Sequence, residues 1–177
     1  MPFEARPVWR EARRSDLRVM EGIADVVHRG LRQRKVLFAR KLALFPDGCF
    51  LLDIDGSVVG YAISHPWHVD KVPPADGPGR MLPADADCLF VYDVAILHRA
   101  RGRAGTRLLL DCLAKVAQEQ RLHAIALVAN SHAVRLWENL GFRVVAADTR
   151  FTEGLASYGR GARYMRKWLD GPGNSAS

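Results

Sequence analysis

Cysteine is scarce in this chain: Cys49, Cys88 and Cys112 are its only three, an odd set with no C-x-x-C spacing. That argues against a disulfide framework and against a thiolate metal site, and leaves buried free thiols in a reducing cytosol as the expectation. Long apolar runs are missing too. The most apolar stretch, "LLLDCLA", is interrupted by Asp111, far short of the roughly 18 residues a spanning helix needs. The opening "MPFEARPVWREARRSD" is basic but has no apolar core of the kind a secretory signal carries. The expectation is a cytoplasmic protein with no membrane partner. There is no internal repeat, no basic strand face interleaved with aromatics, and no recognition-helix motif, so no nucleic-acid partner is expected despite the charge.

What is present is an ordinary globular composition, 49% hydrophobic and 25% charged over 177 residues. Such a length suits one domain, expected over 1–170, with 171–177 closing the polar "DGPGNSAS" as a disordered tail. The net charge of +7 points to an anionic partner. Arg99, Arg101, Arg103 and Arg107 crowd into nine residues together with Gly102 and Gly105. A second basic group, from Arg29 to Lys41, has the spacing of a solvated helix face.

Periodicity orders the chain. "VWREA" reads as a strand, and Ser15 and Asp16 offer caps to a helix over "LRVMEGIADVVHRGL". A second helix covers "QRKVLFARKLAL", and "CFLLDIDGSVVGYAIS" is a hairpin turning at Asp55–Gly56. Residues 66–87, rich in proline, glycine and aspartate, form a long loop of the sort that is usually functional or disordered. Then come the strand "CLFVYDVAIL", the arginine-rich turn, and a helix with Leu108, Leu109, Cys112, Leu113, Val116 and Ala117 along one face. The strand "AIALVA", a helix over "SHAVRLWENL" ended by Gly141, and the strands "FRVVAA" and "ARYMRKWL" follow. The order β-α-α-β-β-β-α-β-α-β-β argues one mixed α/β sheet.

A strand, a Gly/Arg turn and a helix start make a good anion site, because unpaired backbone N–H groups and the helix dipole both favour negative charge there. Arginine adds bidentate phosphate contacts. The turn lacks the Gly-Lys-Ser/Thr ending of a nucleotide-hydrolysing loop and the full G-x-G-x-x-G of a dinucleotide fold. Taken with its context, "DVAILHRARGRAGTRLLL" resembles the acetyl-CoA-binding segment of the GCN5-related N-acetyltransferases (GNAT), a strand, then Arg/Gln-x-x-Gly-x-Gly/Ala, then a leucine-rich helix. One helix and one strand later, "NSHAVRLWENLGF" resembles the same family's Asn-x-x-Ala-x-x-x-Tyr-x-x-x-Gly-Phe motif through Asn130, Ala133, Gly141 and Phe142. Trp137 stands where the motif has its tyrosine.

The resemblance implies a GNAT-type α/β fold: a mixed, mostly antiparallel central sheet of about seven strands with four helices. It implies acetyl-CoA as co-substrate, an amine acceptor and no metal, with a homodimer allowed. For the cofactor it implies Val94, Ala95 and Ile96 on the strand, Arg101, Gly102, Arg103, Ala104, Gly105 and Thr106 in the turn, and Asn130, Ala133 and Trp137 in the later motif. One register of the turn, Arg99-x-x-Gly102-x-Ala104, satisfies the family's pattern, whereas another, aligned on Arg101-Gly102, leaves Ala104 and Thr106 where glycines are usual. An indole N–H cannot serve as a proton source near neutral pH, so the usual thiolate-protonating tyrosine is missing. The remaining catalytic candidates are Tyr92, as acid, base or water relay, and Asp93, as the group that takes an amine's charge. His65 and Tyr158 are candidates to line the acceptor pocket. The altered motifs keep a second expectation open, a non-catalytic acyl-CoA-binding regulator.

Overall fold

A computed structural model of the protein describes residues 6–28, 34–75, 77, 79, 81–102, 105–146 and 154–169. Arg103, Ala104 and the closing residues 171–177, all singled out from the sequence, lie outside these, as do Arg29 and Arg32. The sheet is seven-stranded, in the order β1-β2-β3-β4-β5-β7-β6. It is mixed and mostly antiparallel: β4 and β5 run parallel, whereas β1–β2, β2–β3, β5–β7 and β6–β7 are antiparallel. The element order is the one expected.

The chain forms two compact units, Met1–Ser64 with Asp93–Cys112, and His65–Tyr92 with Leu113–Ser177. In the first, β1 (Pro7–Glu11) leads through a 3-10 turn into α1 (Leu17–Val27) and α2 (Arg34–Leu44). The turn is organised by Asp16, whose carboxylate accepts from the Arg13 N–H at 2.8 Å and from the Arg10 guanidinium at 2.9 and 3.0 Å. Helix α1 stops earlier than its apolar pattern suggests, with His28 as its C-cap. The strands β2 (Cys49–Ile54) and β3 (Ser57–Trp67) join across Asp55 and Gly56, both left-handed at φ of 53° and 79°, the pair that a two-residue hairpin turn demands. Cys49, Phe50, Leu51 and Leu52 are all buried, so both faces of β2 are covered. Met20, Ile23, Phe38 and Tyr61 belong to this unit's core.

In the second unit β5 (Ala124–Ala129) lies parallel to the first part of β4 (Cys88–Ile96), with a register from Cys88↔Ala124 to Val91↔Leu127. Its other edge is taken by β7 (Arg163–Trp168), through to Ala129↔Arg163. Helix α4 is shorter than expected, Val134–Asn139, and β6 is only Arg143–Val144. Gly141 and Phe142 close α4 as a Schellman motif, their N–H groups donating to Glu138 and Trp137 at 2.9 and 3.0 Å. On α3 (Gly105–Glu119) the buried stripe is Leu109, Leu113, Val116 and Ala117, while Leu108 is exposed and Cys112 sits at the margin.

Candidate active site

The end of β4 and the start of α3 are each tied by a hydrogen bond to a neighbouring strand. Leu97 donates its N–H to Val59 at 2.8 Å, and a 3-10 turn at His98–Ala100 reverses the chain. Arg101 folds its Nε back onto the Ile96 carbonyl at 3.2 Å. Gly102 follows at φ +78°, a left-handed conformation in which a side chain would be strained. Helix α3 opens at Gly105, whose carbonyl accepts from the Trp9 indole at 2.6 Å. A Cβ at Gly105 would stand 3.1 Å from Leu52, so this first turn lies tight against β2. Thr106 is half-buried in the same turn. Of the expected cofactor residues, Val94, Ala95, Ile96, Arg101, Gly102, Gly105 and Thr106 are therefore gathered in the first unit. Val94, Ala95 and Ile96 lie beyond the register that β4 keeps with β5.

Asp93 immediately precedes them, and its carboxylate is shared. Oδ1 lies 3.0 Å from Nε2 of His28, and Oδ2 accepts from the Tyr61 hydroxyl at 2.7 Å. His28 comes from the end of α1 and Tyr61 from the middle of β3. Tyr61 is fully buried and meets the Phe38 ring edge-on at 5.2 Å. Neither His28 nor Tyr61 was singled out from the sequence. The signal that could have found His28 was a helix-stop pattern, a histidine two residues before Gly30. Tyr61 sits in an apolar strand pattern that gives no hint of a polar partner.

The second unit holds the other candidates. Asn130 caps the turn before α4, its Oδ1 accepting from the N–H groups of His132 and Ala133 at 3.1 and 3.0 Å. Trp137 is buried and stacks edge-on against Phe142 at 5.3 Å. Tyr92 donates its hydroxyl to the Ala75 carbonyl, and Tyr158 donates to Pro73 at 2.9 Å. Both tyrosines thus grip the 66–87 loop. Tyr164 accepts from the Asp70 N–H at 2.9 Å, and Arg166 pairs with the Asp70 carboxylate. The loop's own ends meet, with Asp87 N–H on the Trp67 carbonyl at 3.0 Å and Val69 N–H on the Asp87 carboxylate at 2.6 Å. Among the described residues the loop is thus closed at its base and held by side chains. His65 is buried, with Trp67 and Phe90 rings at 5.9 Å and Tyr92 at 6.4 Å.

The cysteines are free thiols. Burial pushes the Cys49 thiol up to about 12 and raises Cys88 as well, so neither is a ready nucleophile. Burial likewise raises the Tyr164 phenol. Among the described residues no group of three or more His, Cys, Asp or Glu side chains could hold a metal ion. No described helix is long and apolar enough to cross a membrane.

Residues 10–142 match the family model described as "Acetyltransferase (GNAT) family". No curated protein matches the chain by sequence. Solved structures match closely in fold. The GNAT-like decarboxylase GphF, in complex with isobutyryl-CoA, is similar at a TM-score of 0.73 and 16% identity, over 92% of this chain and 100% of that one. The ribosomal-protein-S18-alanine N-acetyltransferase from Escherichia coli is similar at 0.63 and 18% identity, over 97% and 99%. N-acetylglutamate synthase from Neisseria gonorrhoeae, complexed with coenzyme A and N-acetyl-glutamate, is similar at 0.64 and 19% identity, over 95% of this chain and 36% of that one.

Proposed function

Because the chain belongs to the acetyltransferase (GNAT) family, we propose that it moves acetyl from acetyl-CoA directly to a primary amine, both substrates being bound together. The observation that carries this reading is the β4–turn–α3 segment, where a family match coincides with a tight glycine turn leading into a helix N-terminus. Backbone N–H groups at that turn, with Arg101, suit the CoA pyrophosphate. The N–H groups of Val94 to Ile96 suit the oxyanion of the tetrahedral intermediate, and their place beyond the β4–β5 register supports it. Asn130, Ala133 and Trp137, in the second unit, are the further cofactor candidates of this reading.

Departure of the CoA thiolate needs little help, since a thiol pKa is roughly 8.5. Trp137 is well used as a packing residue on Phe142, and Trp137→Tyr is expected to leave turnover unchanged or raise it, read as thiol release. Tyr92 can take part in proton transfer only if its bond to Ala75 opens. That engagement of Tyr92, together with Tyr158 on Pro73, favours the second reading, a silent acyl-CoA-binding regulator.

Thiol release from acetyl-CoA across polyamines, aminoglycosides, amino acids and short peptides, read beside CoA-dependent thermal stabilisation, separates the two. Stabilisation with release for one amine class supports the transferase. Stabilisation with no release on any amine supports the regulator.

A further inference from the structure

We propose that His28 is the residue that takes the acceptor's proton, with Asp93 and Tyr61 as the groups that position it; this rests on the N-acetyltransferase reading above. Asp93 is engaged through both of its carboxylate oxygens. One is bonded by the buried Tyr61 hydroxyl at 2.7 Å, and the other lies 3.0 Å from His28 Nε2. The Tyr61 ring is fully buried and meets Phe38 edge-on, which favours one placement of the hydroxyl on the carboxylate. An ionised carboxylate only accepts, so His28 Nε2 is the protonated nitrogen. In the neutral ring Nδ1 then carries the lone pair. An aspartate that holds one imidazole nitrogen sets the tautomer, orients the ring and supplies the countercharge when the ring is protonated.

Exposure separates the members in the same sense. The Asp93 side chain is 12% exposed and that of His28 is 26%, so the histidine is the more accessible of the two. Asp93 is also the residue directly before Val94 to Ile96, the amides assigned to the acetyl carbonyl, and all of these lie in the first unit with His28. Sequence spacing would not have assembled this: the members are 65 and 32 residues from Asp93.

The acceptor arrives as an ammonium and gives one proton to His28 Nδ1, which becomes an imidazolium paired with Asp93. The amine lone pair forms the C–N bond to the acetyl carbon. The tetrahedral intermediate collapses with cleavage of the C–S bond, the sulfur leaving with that bond's electron pair. The second amine proton goes to the thiolate, giving the amide and CoA thiol, and the imidazolium returns its proton to water.

The test uses the full chain with acetyl-CoA and whichever amine of the panel gives the fastest thiol release. His28→Ala is expected to lower kcat by ~10²–10⁴-fold, with KM for acetyl-CoA within about threefold of the starting value. Imidazole added to the buffer should restore part of that loss. Asp93→Asn should lower kcat without imidazole rescue, because its ring is present but misheld. Melting temperature checks that each variant folds, and His28→Gln replaces His28→Ala if the latter does not. A folded His28 variant with undiminished kcat, or with a loss that imidazole does not relieve, overturns the assignment and leaves the transferase reading standing. A starting protein that releases no thiol with any amine overturns the transferase reading, and this assignment with it.

Discussion

Tyr61 on β3 and Tyr92 on β4 both donate their hydroxyls to oxygen, but to oxygens of different kind. Tyr61 ends on the Asp93 carboxylate, which also meets a histidine, whereas Tyr92 ends on the Ala75 backbone carbonyl. A carboxylate bonded to an imidazole passes its influence to a group that can gain and lose a proton near neutral pH. A backbone carbonyl passes nothing on, and the bond to it only fixes the chain. Around Asp93 the polar contacts join a carboxylate to a histidine and a tyrosine, the arrangement that the proposed proton transfer uses. Around the 66–87 loop Tyr92, Tyr158, Tyr164 and Arg166 build a clasp.

If the clasp is structural, its core should matter to stability most. Phe90, fully buried in the cluster that Tyr92, Tyr158 and Trp67 pack against, is the test. Phe90→Ala should cost ~3–5 kcal/mol, read by denaturant unfolding. A loss below ~1 kcal/mol would mean that the cluster collapses around the gap or was never tight.

Removing one hydroxyl should do less. Tyr92→Phe and Tyr158→Phe each remove a hydroxyl bond to a loop carbonyl, worth ~0.5–1.5 kcal/mol. Limited proteolysis within 66–87 should quicken in both. The comparison breaks if Tyr92→Phe instead abolishes thiol release while the loop's protease resistance is unchanged.

The smallest effect concerns a carboxylate away from both clusters. The Arg10 guanidinium, bonded to Asp16, holds that carboxyl below its usual range, with the Arg13 N–H adding to it. A depressed folded pKa gives stability that is present above the unfolded value of about 4 and is lost as pH falls through the folded one. Asp16→Asn should therefore flatten the acid limb of the stability profile below about pH 4, by no more than ~1 kcal/mol as the pair is only partly buried.

The elements were legible where local rules decide them. The Asp55–Gly56 turn, β5 at Ala124–Ala129 and the Gly141 stop were readable because each depends on neighbours in the chain. Leu108 misled because an apolar residue at the edge of a helical stripe is bound to no particular side until the helix docks. Helix α4 came out short because Asn130 spends its side chain capping the turn before it. The strand in "FRVVAA" is short, Arg143–Val144 at the sheet's edge, although Val145 still donates its N–H to Tyr164 of β7 at 3.0 Å.

By itself the sequence determined the mixed α/β order, the family, and the glycine turn between β4 and α3, since these follow from periodicity and short motifs. Only the tertiary structure placed β7 between β5 and β6, brought His28 and Tyr61 to Asp93, and turned Tyr92 and Tyr158 onto the loop. The reason is physical. A hydrogen bond between side chains distant in sequence leaves no local pattern, because it exists only once packing has closed the long stretches of chain between the partners.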